Sequence, residues 1–371
     1  MTGRIFRTIL LVLVCILVAV FLAIFLFGYL KGYSIRYIYK KLVPGSVEGI
    51  YKAVDIIEHD GHESFMTASD GSYVYILEGS DMVSYDTKSK DVKYISLDYK
   101  NPVLTEDYGL VMVYDKATGA FSILEEGKTI YEGSIGTRCL GANILSENFI
   151  GFTLPGGDGF LGSYMIIDSS SDSQGEYSYS DRYPVSACIS ADGKQLSIAG
   201  IEEKNAGMTG IDIYRMGQES PVSGRSFDYL SPMLVSFGGD SFASCGSGNI
   251  DILSFGGDFS AHLRIDNVIL ARGGPDGLFV VSGSAGMDTL VMINEDGTKG
   301  WERNIPAGTQ GIAITSDHVF CWNKTEISIL GQDGKVYQLQ GEPGTVRDVV
   351  TLGEYRIAVL TDANIILYEF N

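Results

Sequence analysis

Eight short apolar runs recur along the chain at a nearly constant interval, and this repeat constrains the fold more than any other feature. Their starting positions are separated by 38, 43, 47, 39, 40, 37 and 38 residues. Such a period is typical of four-stranded β-propeller blades, which repeat every ~40–45 residues. We therefore predict an eight-bladed β-propeller, with seven blades as the alternative because the unit at residues 139–182 is the least regular. The runs begin at Val83, Phe121, Tyr164, Ile211, Ile250, Leu290, Ile327 and Ile365.

A second set of strand-like segments precedes these runs, one in each repeat. Turn signals of the Asp-Gly type separate many of the segments, for example at Asp70-Gly71, Asp192-Gly193 and Asp333-Gly334. After residue 45 no segment shows a sustained apolar period of 3.6 residues, so the sequence predicts an all-β body. The second strands are expected at residues 73–77, 110–114, 149–154, 196–200, 242–245, 278–282, 319–322 and 356–360.

Residues 290–305 illustrate the repeating hairpin. Residues 290–293 are apolar on both faces, as expected of a strand with a sheet on either side. Asp296-Gly297 follows, the dipeptide that best supplies a tight hairpin turn. The next run then alternates, with Trp301 and Ile305 on one face and Glu302 on the other.

The last repeat lacks a fourth strand, because the chain reaches Asn371 directly after residues 365–370. Residues 50–57 lie before the first complete repeat and are strand-like. We predict that they supply the missing outer strand by pairing with residues 365–370. Closing the ring in this way removes a sheet edge that would otherwise template aggregation. The predicted propeller therefore covers residues 50–371.

The amino-terminal segment predicts a membrane anchor. Residues 8–30 are 23 uncharged, mostly apolar residues, long enough to cross a hydrocarbon core of about 30 Å. They exceed a cleavable signal core of about 7–15 residues, so we expect an uncleaved signal-anchor helix. A basic tail at residues 1–7 precedes it, and a juxtamembrane tether at residues 31–49 follows. We expect a single-pass protein of the cell membrane with an extracellular propeller, although the count of basic residues favours the opposite orientation.

The charge distribution excludes one class of partner. The net charge is −19, yet residues 1–41 contain six basic residues and no acid. The remainder therefore holds 21 basic and all 46 acidic residues, a net charge of −25. So acidic a body repels nucleic acid. The sequence predicts no nucleic-acid partner.

Two resemblances extend this interpretation. The segment VMINEDGTKGW at residues 291–301 resembles the repeat of quinoprotein-like (PQQ-like, WD40-like) propellers, and residues 328–339 and 83–97 are looser copies. The layout of one amino-terminal span followed by a divergent propeller resembles a family of membrane-anchored propeller proteins from Gram-positive, clostridia-like bacteria. This second resemblance implies a bacterial surface location and supplies no function.

The resemblance to quinoprotein dehydrogenases implies features that this chain does not have. It implies a Trp in most blades and a pair of adjacent Cys over the cofactor. The sequence has two Trp, Trp301 and Trp322, and no Cys-Cys pair. We therefore predict no quinone, and no cofactor, catalytic or metal residue is assigned.

Histidines are the remaining candidates for metal or acid–base chemistry. Residues 58–63, EHDGHE, combine two His with carboxylates, a set that suits a metal. Asp60-Gly61 also indicates a turn, and a polar turn is the favoured interpretation. His262 and His318 stand alone in the sequence, so no Ser/His/Asp arrangement follows from them.

Three further features are interpreted as structural. Cys139, Cys188, Cys245 and Cys321 lie on strands of different repeats, and we expect small buried core residues rather than disulfides. The two SFGGD segments at residues 236–240 and 254–258 are expected to be turns. Residues 169–180, SSSDSQGEYSYS, are expected to form a long exposed hairpin.

These observations favour a non-enzymatic binding or scaffolding module at the cell envelope, whose partner is an envelope protein or a cell-wall polymer. The rival hypothesis is an envelope enzyme acting on wall glycans or peptides. It would use carboxylates that converge at the mouth of the propeller channel, ~5–10 Å apart as in glycosidases. A convergent acid pair favours the enzyme, and an open, mostly polar channel favours the binding module.

Overall fold

The computed structural model describes residues 49–59, 65–205, 207–246 and 248–370. These residues form 32 β-strands and no helix. The first sixteen are β1 (Ile50–Glu58), β2 (Met66–Ser69), β3 (Tyr73–Glu78), β4 (Asp81–Asp86), β5 (Val92–Ser96), β6 (Pro102–Asp107), β7 (Leu110–Asp115), β8 (Ala120–Glu125), β9 (Lys128–Ser134), β10 (Gly141–Ile144), β11 (Phe149–Gly157), β12 (Phe160–Asp168), β13 (Ser173–Tyr179), β14 (Arg182–Ile189), β15 (Gln195–Glu202) and β16 (Thr209–Arg215).

The other sixteen strands continue the same pattern to residue 370. They are β17 (Ser223–Phe227), β18 (Met233–Phe237), β19 (Ser241–Cys245), β20 (Asn249–Ser254), β21 (Phe259–Arg264), β22 (Val268–Gly273), β23 (Leu278–Ser282), β24 (Met287–Ile293), β25 (Lys299–Pro306), β26 (Gly311–Ile314), β27 (His318–Trp322), β28 (Ile327–Gly331), β29 (Val336–Leu339), β30 (Val346–Thr351), β31 (Arg356–Thr361) and β32 (Asn364–Phe370). The prediction of an all-β body is confirmed for the described residues.

The predicted basic tail and membrane-spanning segment, and the predicted tether up to residue 48, lie outside the described residues. Within the part of the chain that the structure describes, no helix is long and apolar enough to cross a membrane.

The strands form six four-stranded sheets and one eight-stranded sheet. Each four-stranded sheet is an antiparallel meander of four consecutive strands, from β2–β5 to β22–β25. The apolar runs of the sequence are the third strands of these units, and the segments before them are the second strands. Both are nearly continuous apolar runs because each is flanked by strands within its sheet and covered by neighbouring sheets above and below.

The first strands of successive units adjoin one another around a ring. β2 contacts β6, β6 contacts β10, and the series continues from β14 through β18, β22, β26 and β30 back to β2. Between β10 and β14 the ring continues through the contacts of β14 with β11 and β12. The first strands therefore surround a central channel.

The eight-stranded sheet joins the amino-terminal strand to the last unit. β1 pairs antiparallel with β32, placing Ile57 opposite Ile365, and it also pairs in parallel with β29 at Ile50 and Tyr51. Tyr51 is fully buried there, and its ring packs against Phe320 and Phe370. Aromatic packing thus closes the ring.

Hydrophobic clusters fill the spaces between neighbouring sheets. Alternate residues of β24 point to opposite sides, with Val291 and Ile293 packed toward the preceding sheet and Leu290 and Met292 toward the following one. All four are buried. Burying each such side chain contributes about 1.5–3 kcal/mol, so the third strands stabilise two interfaces at once.

Two predicted hairpins are present, and each differs from the prediction in one detail. The turn after β24 spans residues 294–298, and only Gly297 in it has a positive φ, of 81°. A two-residue turn of the kind that Asp-Gly favours requires positive φ at both central residues, and Asp296 does not have it. The turn is therefore wider than two residues, and a bulge at Met292 accompanies it. Residues 169–180 belong to a hairpin, as predicted, with β13 (Ser173–Tyr179) pairing along β12, but this hairpin is not fully exposed because Tyr177 and Tyr179 are buried.

Candidate binding site in the central channel

A cavity of about 390 Å³ lies in the central channel. Its walls come from five first strands, β6, β10, β14, β18 and β22, which belong to sheets on different sides of the ring. A second cavity of about 480 Å³ is lined by residues of β2 and β30, including Thr67 and Asp348, together with Gln310, Lys324 and Arg347. The polar side chains of the first cavity are Glu106, Asp107, Tyr108, Asn143, Ser236 and Arg272.

The end of β6 and the turn that follows it present Glu106, Asp107 and Tyr108 to the cavity. Tyr108 and Gly109 both have positive φ, 54° and 72°, which defines a two-residue hairpin turn. A left-handed conformation costs a non-glycine residue roughly 1–2 kcal/mol, and a bulky aromatic residue is uncommon there. Tyr108 lines the cavity together with Ser236 of the opposite wall, and burial raises the pKa of its phenol.

Three carboxyl groups share one guanidinium in this region. Arg272 Nη2 lies 3.7 Å from Asp107 Oδ1, an ion pair without a hydrogen bond. Glu106 accepts a hydrogen bond from the backbone N–H of Ser69, and Asp348 accepts one from the hydroxyl of Thr67. With every group ionised, the four side chains carry a net charge of −2.

Burial raises the pKa of all three carboxyl groups. The pKa of Glu106 rises to about 7 because burial disfavours its charged form; Arg272 and the Ser69 N–H oppose this, and Asp348 and Asp107 add to it. The pKa values of Asp107 and Asp348 also rise, and in both cases Arg272 counteracts the effect of burial. Near neutral pH, Glu106 therefore exchanges its proton readily and is suited to general acid–base chemistry.

Sequence reasoning assigned no site residue and did not find this group. Glu106 and Asp348 are distant in sequence, and no local motif marks either of them. The signal that does connect them is positional: Glu106, Arg272 and Asp348 all lie on first strands of their units, which the repeat aligns around the channel.

A second polar cluster corrects the interpretation of His262 as isolated. Its Nδ1 lies 2.8 Å from Oδ1 of the fully buried Asp251, its direct cross-strand partner on β20. The hydroxyl of Tyr229, from the connection between β17 and β18, donates to Asp251 Oδ2 at 2.6 Å. Burial and this hydrogen bond raise the pKa of Tyr229. The cluster ties the connecting segment to the sheet.

His318 is not isolated either. It is buried, and its Nδ1 lies 3.1 Å from the hydroxyl of Tyr51. Its ring packs edge-on against Tyr337 and Phe370. His318 therefore belongs to the seam at which β1 closes the ring.

The predicted polar turn at residues 58–63 lies mostly outside the described residues, since only Glu58 and His59 are described. His59 Nε2 donates to the carbonyl oxygen of Thr361 at 3.0 Å. Among the described residues, no group of three or more His, Cys, Asp or Glu side chains is arranged to hold a metal ion.

The cysteine and SFGGD predictions are confirmed. Cys139, Cys188, Cys245 and Cys321 are all buried and free, and burial raises the pKa of both Cys245 and Cys321 to about 12. Such thiols are unreactive. Residues 238–240 and 255–258 are the turns that connect β18 to β19 and β20 to β21.

No protein-family model matches the sequence, and no curated protein matches it. Solved structures do match the fold. The C-terminal WD40 domain of Sif2 matches with a TM-score of 0.60 at 10% identity, covering 88% of this chain and 99% of that domain. BamB from Moraxella catarrhalis matches at 0.55 and 13%, covering 86% and 100%, and a chain of the mitotic checkpoint complex at 0.51 and 10%, covering 88% and 94%.

Identities this low establish the fold alone. The described part of the chain is a β-propeller of the kind seen in WD40 domains and in BamB, and the prediction of a propeller is confirmed.

Proposed function

We propose that this protein is a single-pass, membrane-anchored β-propeller that serves as a non-catalytic binding or scaffolding module at the cell envelope. The observation that carries this proposal is the closed ring of first strands around a channel lined by donors and acceptors of both charges. Rigid scaffolds with variable connecting segments are suited to binding. One fold neighbour belongs to an assembly, the mitotic checkpoint complex, which is consistent with such a role.

We propose eight blades. The eight-stranded sheet consists of two four-strand sets, β26–β29 and β30–β32 with β1, which are joined only at the short parallel contact of β1 with β29. Eight first strands follow one another around the ring. Counting hydrogen-bonded sheets alone gives seven, the alternative left open by the sequence.

The membrane anchor at residues 8–30 and the extracellular location of the propeller are part of the proposal and are tested together. Intact protoplasts are treated with protease and blotted for a carboxy-terminal tag. We expect the tag to be lost while a cytosolic control protein is protected. A propeller can resist proteases, so a second variant carries a cleavage site in the exposed turn at residues 217–221. Survival of both variants until the membrane is opened would place the propeller inside the cell.

The binding role is tested by photo-crosslinking in cells. A photoreactive residue at Tyr108, in the channel, is compared with one at Tyr94, which is 76% exposed on β5. We expect position 108 to capture a cell-wall polymer or an envelope protein and position 94 to capture much less. Equal capture at both positions, or none at 108, would contradict channel binding.

The second candidate function is an envelope hydrolase acting on wall glycans or peptides. The specific observation in its favour is the convergence of Glu106 and Asp348 with the raised pKa of Glu106, about 7. Hydrolysis of purified wall material by the full chain, abolished in Glu106→Gln, would establish it. Glu302→Gln, on the outer strand β25, is the matched control.

A further inference from the structure

Arg272 is an open hydrogen-bond donor in the channel. Its guanidinium lies 3.7 Å from Asp107, and within the described residues no protein acceptor forms a hydrogen bond with it. Its side chain is 37% exposed to the cavity. A guanidinium has five N–H donors in a planar fork that matches a carboxylate in two-point contact. The fork is thus free to bind a ligand carboxylate.

The surrounding charges restrict what that ligand can be. Glu106, Asp107 and Asp348 outnumber Arg272, so a ligand that is only anionic meets net repulsion. A ligand that is only cationic finds acceptors but leaves the N–H groups of Arg272 without a hydrogen bond. A ligand with one ammonium and one carboxylate satisfies both sets of groups.

We propose that the channel cavity binds a small zwitterion, whose carboxylate pairs with Arg272 and whose ammonium lies against Glu106 and Asp107. The cavity of about 390 Å³ is near the lower end of the ~300–1,000 Å³ typical of small-molecule sites, which suits an amino acid or the end of a short peptide. Tyr108, which lines the cavity with Ser236, provides an aromatic wall. This inference names the ligand class of the binding module proposed above and rests on that proposal.

Calorimetric titration of the full chain in detergent micelles tests the ligand class. The probes are alanine, dialanine, N-acetylalanine and alaninamide, of which the last two each lack one charge. We expect alanine or dialanine to bind at least tenfold more tightly than either blocked analogue. Tighter binding of dialanine identifies a peptide end, and tighter binding of alanine a free amino acid. Equal binding of a blocked analogue, or no binding of either zwitterion, would overturn the proposal.

Variants assign the contacts. Arg272→Gln is expected to weaken binding of the better zwitterion at least tenfold, with partial recovery in Arg272→Lys, which keeps the charge without the fork. Arg303→Gln is the matched control, because Arg303 donates to the carbonyl oxygen of Gly334 on the outer side of the sheet. Thermal melting of each variant separates lost binding from lost folding. Unchanged affinity in a folded Arg272→Gln protein would refute the carboxylate contact.

The pH dependence reports on the ammonium contact. Glu106 faces the Ser69 N–H from β2, Arg272 from β22, Asp348 from β30 and its own neighbour Asp107. With a pKa of about 7, Glu106 is mostly protonated at pH 6 and ionised at pH 8, so alanine affinity is expected to rise about tenfold across this range. Glu106→Gln should flatten that rise. A flat profile in the unaltered protein would contradict the ammonium contact.

The outcomes of the two sets of experiments are separable. Capture of an envelope partner at position 108 without zwitterion binding would refute this inference and leave the proposed function standing. Zwitterion binding by a propeller that the protease experiment places inside the cell would support this inference and refute the proposed location at the cell envelope.

Discussion

Burial disfavours the charged form of the aspartates at turns and of the carboxylates in the channel alike. The pKa is nevertheless lowered in the turn aspartates and raised in the channel carboxylates. Asp115, at the end of β7, has no exposed surface, yet it accepts hydrogen bonds from Asn101 N, Ala117 N and the Thr118 hydroxyl at 2.7–3.0 Å. Burial pushes its pKa up, but these donors hold the pKa below its usual range. Glu106 has one such donor, Ser69 N, and its pKa rises to about 7.

The number of donors that the fold supplies separates these two kinds of acid. Turn aspartates such as Asp86 and Asp168 are likewise surrounded by backbone N–H groups and hydroxyls, and the pKa of each is lowered. Their negative charge is part of the folded structure. The channel carboxylates are left with spare acceptor capacity, which is what a ligand requires.

The largest effect is expected from Asp115→Ala. It leaves three part-buried donors without an acceptor, so the free energy of unfolding should fall by about 2–4 kcal/mol. Urea unfolding at pH 7 measures it. Because the pKa of Asp115 is lowered in the folded state, its stabilisation is present at neutral pH and is lost as the pH falls through that lowered pKa. A loss below about 1 kcal/mol would show that the donors around Asp115 do not stabilise the fold, and the contrast with the channel carboxylates would then not hold.

Glu106→Gln should act in the opposite direction, with a pH dependence. The pKa of Glu106 is raised from 4.5 to about 7 on folding, so its contribution to stability is present below pH 4.5 and is lost as the pH rises to about 7. We expect the glutamine to be about 2–3 kcal/mol more stabilising at pH 8 than at pH 5, measured by urea unfolding at both values. The same difference at both pH values would mean that Glu106 is an ordinary surface acid.

Tyr108→Asn should stabilise the protein while damaging the site. The change creates Asn-Gly, the preferred pair for a turn with positive φ at both residues, and should raise the free energy of unfolding by about 1 kcal/mol. Thermal melting and alanine titration of the same preparation check both effects. Destabilisation would show that packing of the Tyr108 ring outweighs its backbone strain.

The smallest effect is expected from Asp86→Asn. The amide oxygen can still accept from Lys88 N and Ser89 N, and asparagine is itself favoured in such turns. We expect a loss of less than about 1 kcal/mol in urea unfolding. A larger loss would mean that the charge of the turn aspartates, rather than their acceptor geometry, is what the fold uses.

The second and third strands of each unit could be predicted from the repeat. Both faces of these strands are covered by neighbouring sheets, so their sequences are nearly continuous apolar runs. The hairpin that contains β13 was predicted, but the burial of Tyr177 and Tyr179 was not, because an outermost strand is half exposed and SQGEYSY is mostly polar. The hairpin after β24 was predicted, but the width of its turn was not, because Asp-Gly fits both a two-residue turn and a wider one. The pairing of Asp251 with His262 could have been predicted from the sequence. A hairpin turn at the second SFGGD segment, residues 254–258, sets the register that places these two residues opposite each other.

The channel site could not be predicted from local sequence patterns, for a different reason. Glu106, Arg272 and Asp348 meet only when the ring is complete, and their chemistry depends on how many donors each receives from other units. Aligning the repeats indicates which residues face the axis. It does not indicate which of them lack donors.

The pairing of β1 with β32 has a consequence for synthesis of the protein. The two strands are separated by about 300 residues, so β1 leaves the ribosome about 15–60 s before its partner at 5–20 residues per second. During that interval the apolar side chains that the folded ring buries, Tyr51 and Ile57, have no sheet to pack against. The ring can therefore close only after translation has passed β32.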